Sequence, residues 1–149
     1  MRELKIKKFD ELSLKELYSI MRVRCELFIL EQKITSEEEI DGIDDKCVHI
    51  FLEENNNIIA YCRIVPKGIA YENISIGRVL VRKEYRRKKI AQEILKAAIK
   101  YIKDNYEETK VVLSAQLYAK KVYESVGFIQ SSDVYDEAGI EHIKMYRDI

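Results

Sequence analysis

Residues 74–98, ISIGRVLVRKEYRRKKIAQEILKAA, limit what this chain can fold into more tightly than any other stretch. They read as an apolar strand, a basic turn and an amphipathic helix in immediate succession. Ile74, Ile76 and Leu80 alternate with Val79 and Val81 on opposite faces, so the strand can be buried on both sides. Beyond the turn, Ile90, Ala91, Ile94, Leu95, Ala98 and Ile102 recur at helical spacing and give the helix one apolar side. The turn itself holds Arg82, Lys83, Arg86, Arg87, Lys88 and Lys89 against one acid, Glu84. Helix N-termini favour acids, because their unpaired N–H groups and the helix dipole already make that end positive. Cations crowded there point to a multiply charged anion, with backbone N–H groups and side chains converging on phosphates. The other reading is a basic turn that simply faces solvent.

Bulk charge narrows the partners. The 149 residues carry 26 basic and 26 acidic side chains, which argues against a protein whose main task is covering nucleic acid. Apolar residues make up 47% and charged ones 35%, the balance of a soluble globular protein, and the length suits a single domain over residues 1–149. No apolar run approaches the ~18 residues needed to span a bilayer, and the first residues, MRELKIKKFDEL, hold no signal-peptide core. No membrane partner and a cytoplasmic location are therefore expected. Cys25, Cys47 and Cys62 are odd in number and lack C-x-x-C spacing, so reduced, mostly buried thiols are expected, with neither a disulfide framework nor a metal site.

The rest of the chain supplies a sheet around the central stretch. Residues 4–9 read as a short strand with Leu4 and Ile6 on one face. Ser13 and Glu16 form a capping box that opens a helix, whose apolar stripe is Leu14, Leu17, Tyr18, Met21, Cys25 and Phe28. That pattern fades at Glu31 and Gln32. The following run contains Glu37, Glu38, Glu39, Asp41, Asp44 and Asp45, read either as a solvated loop or as an acidic rim that attracts a cationic amine. Alternating residues from Cys47 to Leu52, a turn at Asn55, Asn56 and Asn57, a return over residues 58–65 and a turn at Lys67 and Gly68 make an antiparallel meander leading to Ile74. After the central helix come a strand over residues 110–115, a helix from about Leu117, and strands near residues 128–131 and 141–147. The order β-α-β-β-β-α-β-α-β-β predicts an α/β fold of the α+β kind, a mixed but mostly antiparallel sheet with helices on both faces.

Two motifs in this frame resemble those of the GNAT superfamily of N-acetyltransferases. The run Val81 to Ala91 is similar to its acetyl-CoA signature, Arg/Gln-x-x-Gly-x-Gly/Ala at a helix start, with Arg86, Lys89 and Ala91 in the three signature positions. Lys89 stands where the pattern has glycine, and a helical first-turn torsion there would suit a lysine. Downstream, Gln116, Ala119, Tyr123, Gly127 and Phe128 match Asn-x-x-Ala-x-x-x-Tyr-x-x-x-Gly-Phe, with Gln116 in place of the usual asparagine. The predicted element order is that of the same superfamily. A narrower likeness, to its ElaA-type branch, rests on several short runs. These are Arg24 with Phe28, Glu31 and Gln32; Asp41, Asp44 and His49; Ala60 to Arg63; Ile76 to Val79; Ala115 and Gln116; and Gly139, Ile140, His142 and Ile143.

The resemblance implies acetyl-CoA as co-substrate and direct transfer to an amine. Pantetheine would pair with Val79, Leu80 and Val81 as an added strand. The pyrophosphate would lie on the amides of Arg87, Lys88, Lys89, Ile90, Ala91 and Gln92, with Arg86 assisting. Gln116 would stand near the thioester, and Tyr123 would protonate the departing thiolate. An amine must lose a proton before it attacks, and His49 and Glu31 are the candidate bases. Arg63 and Arg78, on predicted strands, either grip an anionic group of the acceptor or form structural ion pairs such as Glu31 with Arg63. The acceptor expected is a small molecule or peptide end carrying both an amine and an anion, and a homodimer is left open. The alternative to an enzyme is a non-catalytic acyl-CoA-binding module, which would dispense with the base and with Tyr123.

Overall fold

Residues 2–149 are described by the computed structural model of the protein. Its elements are β1 (Arg2–Lys8), α1 (Leu14–Arg24), β2 (Val48–Glu54), β3 (Asn57–Val65), β4 (Ile74–Val81), α2 (Ile90–Asn105), β5 (Lys110–Gln116), α3 (Lys120–Ser125), β6 (Ile129–Gln130), β7 (Tyr135–Glu137) and β8 (Ile140–Asp148). The sheet runs β1-β2-β3-β4-β5-β8-β6, with β7 paired to β8. β4 and β5 are parallel, joined by the crossover helix α2, and the other ladders are antiparallel. The expected order is present with one strand added. β7 escapes sequence reading because its hairpin to β8 turns on Ala138 and Gly139, both at positive φ, and alanine is a poor signal for such a turn.

Helices cover both faces. α2 buries Ile90, Ile94, Leu95, Ala98, Ile99 and Ile102 against residues such as Ile50, Leu52, Ile64, Ile74 and Ile76. On the opposite face Ile20, Val23, Leu27 and Phe28 pack on Phe51, Ile58, Tyr61 and Leu80. Each of the buried Ile, Leu, Val and Phe side chains among these is worth about 1.5–3 kcal/mol in area removed from water.

Two expectations about faces are corrected. Leu80 does not share a face with Ile74 and Ile76. Between the pairs Arg63↔Gly77 and Tyr61↔Leu80, β4 has one residue more than β3. Arg78 takes a φ of 51° in that bulge. The extra residue reverses the alternation, so Leu80 turns to the α1 side while Val79 and Val81 pack on the α2 side. In α1 the buried face is Glu16, Ile20, Val23 and Arg24, whereas Leu14 and Tyr18 of the expected stripe are 88% and 70% exposed. The reason is that charged residues occupy that face with partners in place. Glu16 closes the expected capping box with Ser13 and meets the Nζ atoms of Lys5 and Lys7 at 3.0 and 2.9 Å. After Arg24 the chain continues as π-helical turns over Cys25–Glu31.

Candidate functional site

The β4–β5 ladder consists of Ile74↔Val111 and Ser75↔Val112. Past Ser75 the two strands diverge, which leaves residues 76–81 of β4 without a strand on that side among the described residues. A cleft of about 820 Å³ follows this gap, lined by Val79, Leu80 and Val81 on one wall and by Ser114 and Gln116 on the other.

One end of the cleft is the basic turn. Lys89 is the N-cap of α2, at φ 61° and ψ 23°, and no side chain caps the helix. The first helical hydrogen bond runs from Glu93 N to Lys89 O at 3.2 Å. The N–H groups of Ile90, Ala91 and Gln92 therefore have no acceptor within the helix, and these three residues line the cleft. Arg87 is also left-handed, at φ 64°. Lys89 thus adopts the conformation that glycine supplies in the GNAT pattern rather than a helical torsion, at a cost of about 1 kcal/mol. Arg86, Arg87 and Lys89 line the cleft but Lys88 does not, its Nζ standing 5.8 Å from the centre of the Tyr85 ring. Arg86 is already engaged: Nε donates to Val81 O at 2.9 Å, and its two terminal nitrogens hold the Glu31 carboxylate at 2.8 and 3.1 Å.

Farther along, Gln116 ends β5 and exchanges amide hydrogen bonds of 2.9 and 3.4 Å with Gln32, so the tail of the π-helical segment is tied to the far wall. Tyr123, on α3, lines the cleft with its ring packed edge-on to Phe128 at 6.1 Å. Burial pushes its phenol far above the ordinary value and keeps it neutral. Gly127 ends α3 at φ 94°, where a Cβ would meet Arg147 Nε at 2.7 Å.

The acidic loop is neither solvated throughout nor a free rim. Arg24, Arg63 and Arg78 converge on it from α1, β3 and β4. Arg24 donates to Glu39 Oε2 at 2.8 Å and to Asp44 Oδ1 at 2.6 Å, and its guanidinium lies 5.9 Å from the Tyr61 ring. Arg63 reaches Asp44 Oδ1 at 2.8 Å and both Asp41 oxygens at 3.0 and 2.5 Å. Arg78 reaches Glu39 Oε2 at 2.8 Å and Asp41 Oδ2 at 3.3 Å. The arginines hold the Asp41 and Asp44 carboxyls below the usual range against the opposing effect of burial, Asp41 at about 2. Arg63 and Arg78 line the cleft, and their charges are matched by the protein's own carboxylates, which favours the ion-pair alternative of the two expected for them. The suggested Glu31–Arg63 pair is replaced by Glu31–Arg86 and by Arg63 with Asp41 and Asp44. Glu37 and Glu38, also on the cleft, bring negative charge beyond this three-against-three match.

Neither candidate base faces the cleft. His49 is fully buried, with Nε2 at 2.9 Å from Asp44 O and Nδ1 at 2.7 Å from the Tyr61 hydroxyl. A carbonyl only accepts, so Nε2 carries the hydrogen and Nδ1 accepts from the phenol. Burial lowers its pKa and keeps it neutral. Glu31 is paired with Arg86 and lies outside the cleft lining. The residues missed as functional from sequence are Gln32, Glu137 and His142, all on the cleft wall. Gln32 and His142 stood in the ElaA-type likeness as positions without a chemical role; Glu137 had no signal. Among the described residues no cluster of His, Cys, Asp and Glu is arranged to hold a metal ion, and no helix is long and apolar enough to cross a membrane.

Comparison with known proteins agrees with this architecture. The family model described as an acetyltransferase (GNAT) domain matches residues 21–149. A UPF0039 protein of Schizosaccharomyces pombe is 38% identical over 145 residues, covering 96% of this chain and 95% of its own. Escherichia coli ElaA is 34% identical over 142 residues, covering 94% and 92%. The crystal structure of Escherichia coli ElaA superposes with a TM-score of 0.91 at 33% identity, over 99% of both chains. That of an acyl-CoA N-acyltransferase from Pseudomonas aeruginosa gives 0.89 at 30% identity, also over 99% of both.

Proposed function

The chain belongs to the acetyltransferase (GNAT) family, and on that premise we propose that it moves an acetyl group from acetyl-CoA directly to a primary amine of a small metabolite or peptide. The observation that carries this reading is the meeting, in one cleft, of an open β4 edge and an uncapped α2 N-terminus. Those features suit the two polar parts of a CoA thioester. The pyrophosphate takes the free N–H groups of Ile90, Ala91 and Gln92, with Arg87 and Lys89 adding charge and Arg86 joining when it releases Glu31. The pantetheine amides pair with Val79, Leu80 and Val81 as an added strand would. The thioester then lies toward Gln116 and Tyr123. A backbone N–H of the same β4 stretch stabilises the acyl oxygen as charge builds there, and the neutral Tyr123 hydroxyl donates to the leaving sulfur.

Direct transfer is supported by the cysteines. Cys25, Cys47 and Cys62 all lie outside the cleft lining, and burial pushes the Cys47 and Cys62 thiols up to about 11 and about 12. Little thiolate exists at neutral pH to take up an acetyl group. The acceptor side is argued from charge. With Arg63 and Arg78 matched by Glu39, Asp41 and Asp44, the surplus of Glu37 and Glu38 favours a cationic amine, and an anionic group on the acceptor has no free partner there.

The test is an acetyl-CoA turnover screen over polyamines, amino acids, aminoglycosides and peptides, read as release of free thiol. Cationic amines should be acetylated whether or not they carry a carboxylate. Failure to turn over any amine overturns the reading: acetyl-CoA binding in low-salt calorimetry then leaves the non-catalytic binding module, and absence of binding removes the co-substrate as well.

A further inference from the structure

Taking a proton from the acceptor is the one chemical step for which the groups above provide nothing. An alkylammonium has no lone pair, so a base must reach into the cleft. His49 is sealed and Glu31 is bound to Arg86. The corner where β5, β7 and β8 meet holds another group. His142 on β8 lies opposite Gln116 of β5 and Tyr135 of β7 in register, so its side chain leaves the sheet on the face of Gln116 and lines the cleft.

The ring is oriented from both ends. Nδ1 is 2.8 Å from Ile140 O. A carbonyl only accepts, so Nδ1 carries the hydrogen and the neutral ring keeps its lone pair on Nε2. Nε2 stands 3.5 Å from Glu137 Oε2, a separation that becomes an ion pair when the ring gains a proton. The Tyr135 ring lies beside the imidazole, with centroids 6.1 Å apart and planes 31° from each other. Ser114 on β5 hydrogen-bonds the Tyr135 hydroxyl and approaches Glu137 Oε1 at 3.5 Å, which ties β7 to β5. The titratable groups facing this corner are therefore Glu137 and Tyr135 of β7, Tyr71 of the segment before β4 across Ser114, and Lys144 of β8, which is paired with Ser114 and has its Nζ 5.9 Å from the centre of the Tyr71 ring.

We infer that His142 is the general base of the transfer, with the Ile140 carbonyl and Glu137 as its positioning groups; this rests on the acetyl-transfer reading. Nε2 removes one proton from the ammonium. The freed nitrogen attacks the thioester carbonyl carbon; the C–N bond forms, and the C–S bond breaks with its electron pair leaving on sulfur. A second proton from nitrogen ends on the thiolate by way of Tyr123, and the third stays in the amide. The imidazolium, held against Glu137, releases its proton to solvent through the half-exposed carboxylate. One ammonium and one thioester give one amide, one thiol and one proton.

The test compares three variants on the best amine from the screen. His142→Gln should bind acetyl-CoA as the wild type does in calorimetry, lose about 10²-fold or more in kcat/KM, and lose the acidic limb of its pH profile. Glu137→Gln, on a half-exposed hairpin, should keep the fold and move that limb to lower pH, because the imidazolium loses its anion. His49→Gln should leave the limb where it is. A His142→Gln enzyme that retains the limb overturns the assignment, and so does an unmoved limb in Glu137→Gln if His142→Gln does not fold. No turnover by the wild type on any amine overturns the acetyl-transfer reading itself, whereas normal wild-type turnover with either of those limbs unmoved overturns only the role of His142.

Discussion

The protein contains two histidines, and their surroundings divide the molecule into a sealed side and an open one. His49 sits among Arg24, Arg63, Asp44 and Tyr61, where both ring nitrogens and Asp44 Oδ1 meet protein partners. One buried atom there, Arg63 Nε, has no partner. His142 lines the cleft, with one nitrogen fixed by a carbonyl and the other 3.5 Å from a half-exposed glutamate. The same contrast holds for the cations. Arg24, Arg63 and Arg78 are neutralised in place, whereas Arg87 and Lys89 stand in a left-handed turn next to unpaired helix N–H groups. A sealed polar cluster fixes geometry, and an open one has bonds still to make. Polar residues on the first side should therefore move stability, and those on the second should move ligand binding and rate.

The largest effect expected is on the sealed side. Asp44→Ala removes the carboxylate shared by Arg24 and Arg63, and leaving buried charge uncompensated should cost about 3–5 kcal/mol in denaturant unfolding. A loss below 1 kcal/mol would mean that the cluster is not sealed. Tyr123→Phe tests the open side. It should lower kcat by about 10²-fold while acetyl-CoA affinity and melting temperature stay near wild type; unchanged turnover would move the proton donor elsewhere.

His49→Gln should cost about 1–3 kcal/mol, since a buried hydrogen-bonding pair is broken, and should leave the pH–rate profile intact. Its effect on pH-dependent stability has a definite sign. The folded state holds His49 below its ordinary value of 6.5, so the unfolded chain binds more protons and stability falls as pH drops below 6.5. A further loss follows as pH falls from the ordinary carboxylate values toward about 2, where Asp41 and Glu16 titrate in the fold. Wild-type unfolding free energy should thus decline in two stages, and His49→Gln should remove the upper one.

The smallest effect expected is at Lys89. Lys89→Gly relieves a left-handed lysine and should raise stability by about 1 kcal/mol or less, because glycine's freedom in the unfolded chain offsets part of the gain. Acetyl-CoA affinity should stay or tighten. A large loss of affinity would give the ammonium its own phosphate contact and make the basic turn a side-chain site rather than a backbone one.

Features set by neighbours in sequence were legible. Alternation and helical spacing within residues 74–98 predicted strand, turn and helix; Ser13 and Glu16 marked the start of α1; Gly127 marked the end of α3; the meander followed from its turn residues. Each rests on a local period or on a backbone preference that a residue carries with it. What tertiary structure decided lies elsewhere. The arginine–carboxylate cluster joins residues 15 to 39 positions apart, and no local pattern says which arginine will meet which acid. The bulge at Arg78 is a mismatch between two strands, visible only when both are paired, and it carries Leu80 to the other face. The torsion of Lys89 follows from the path forced on the chain between β4 and α2, against the preference of a lysine. The two histidines show the division most plainly: both are buried, and what separates a structural imidazole from a candidate base is which groups the fold brings to its two nitrogens.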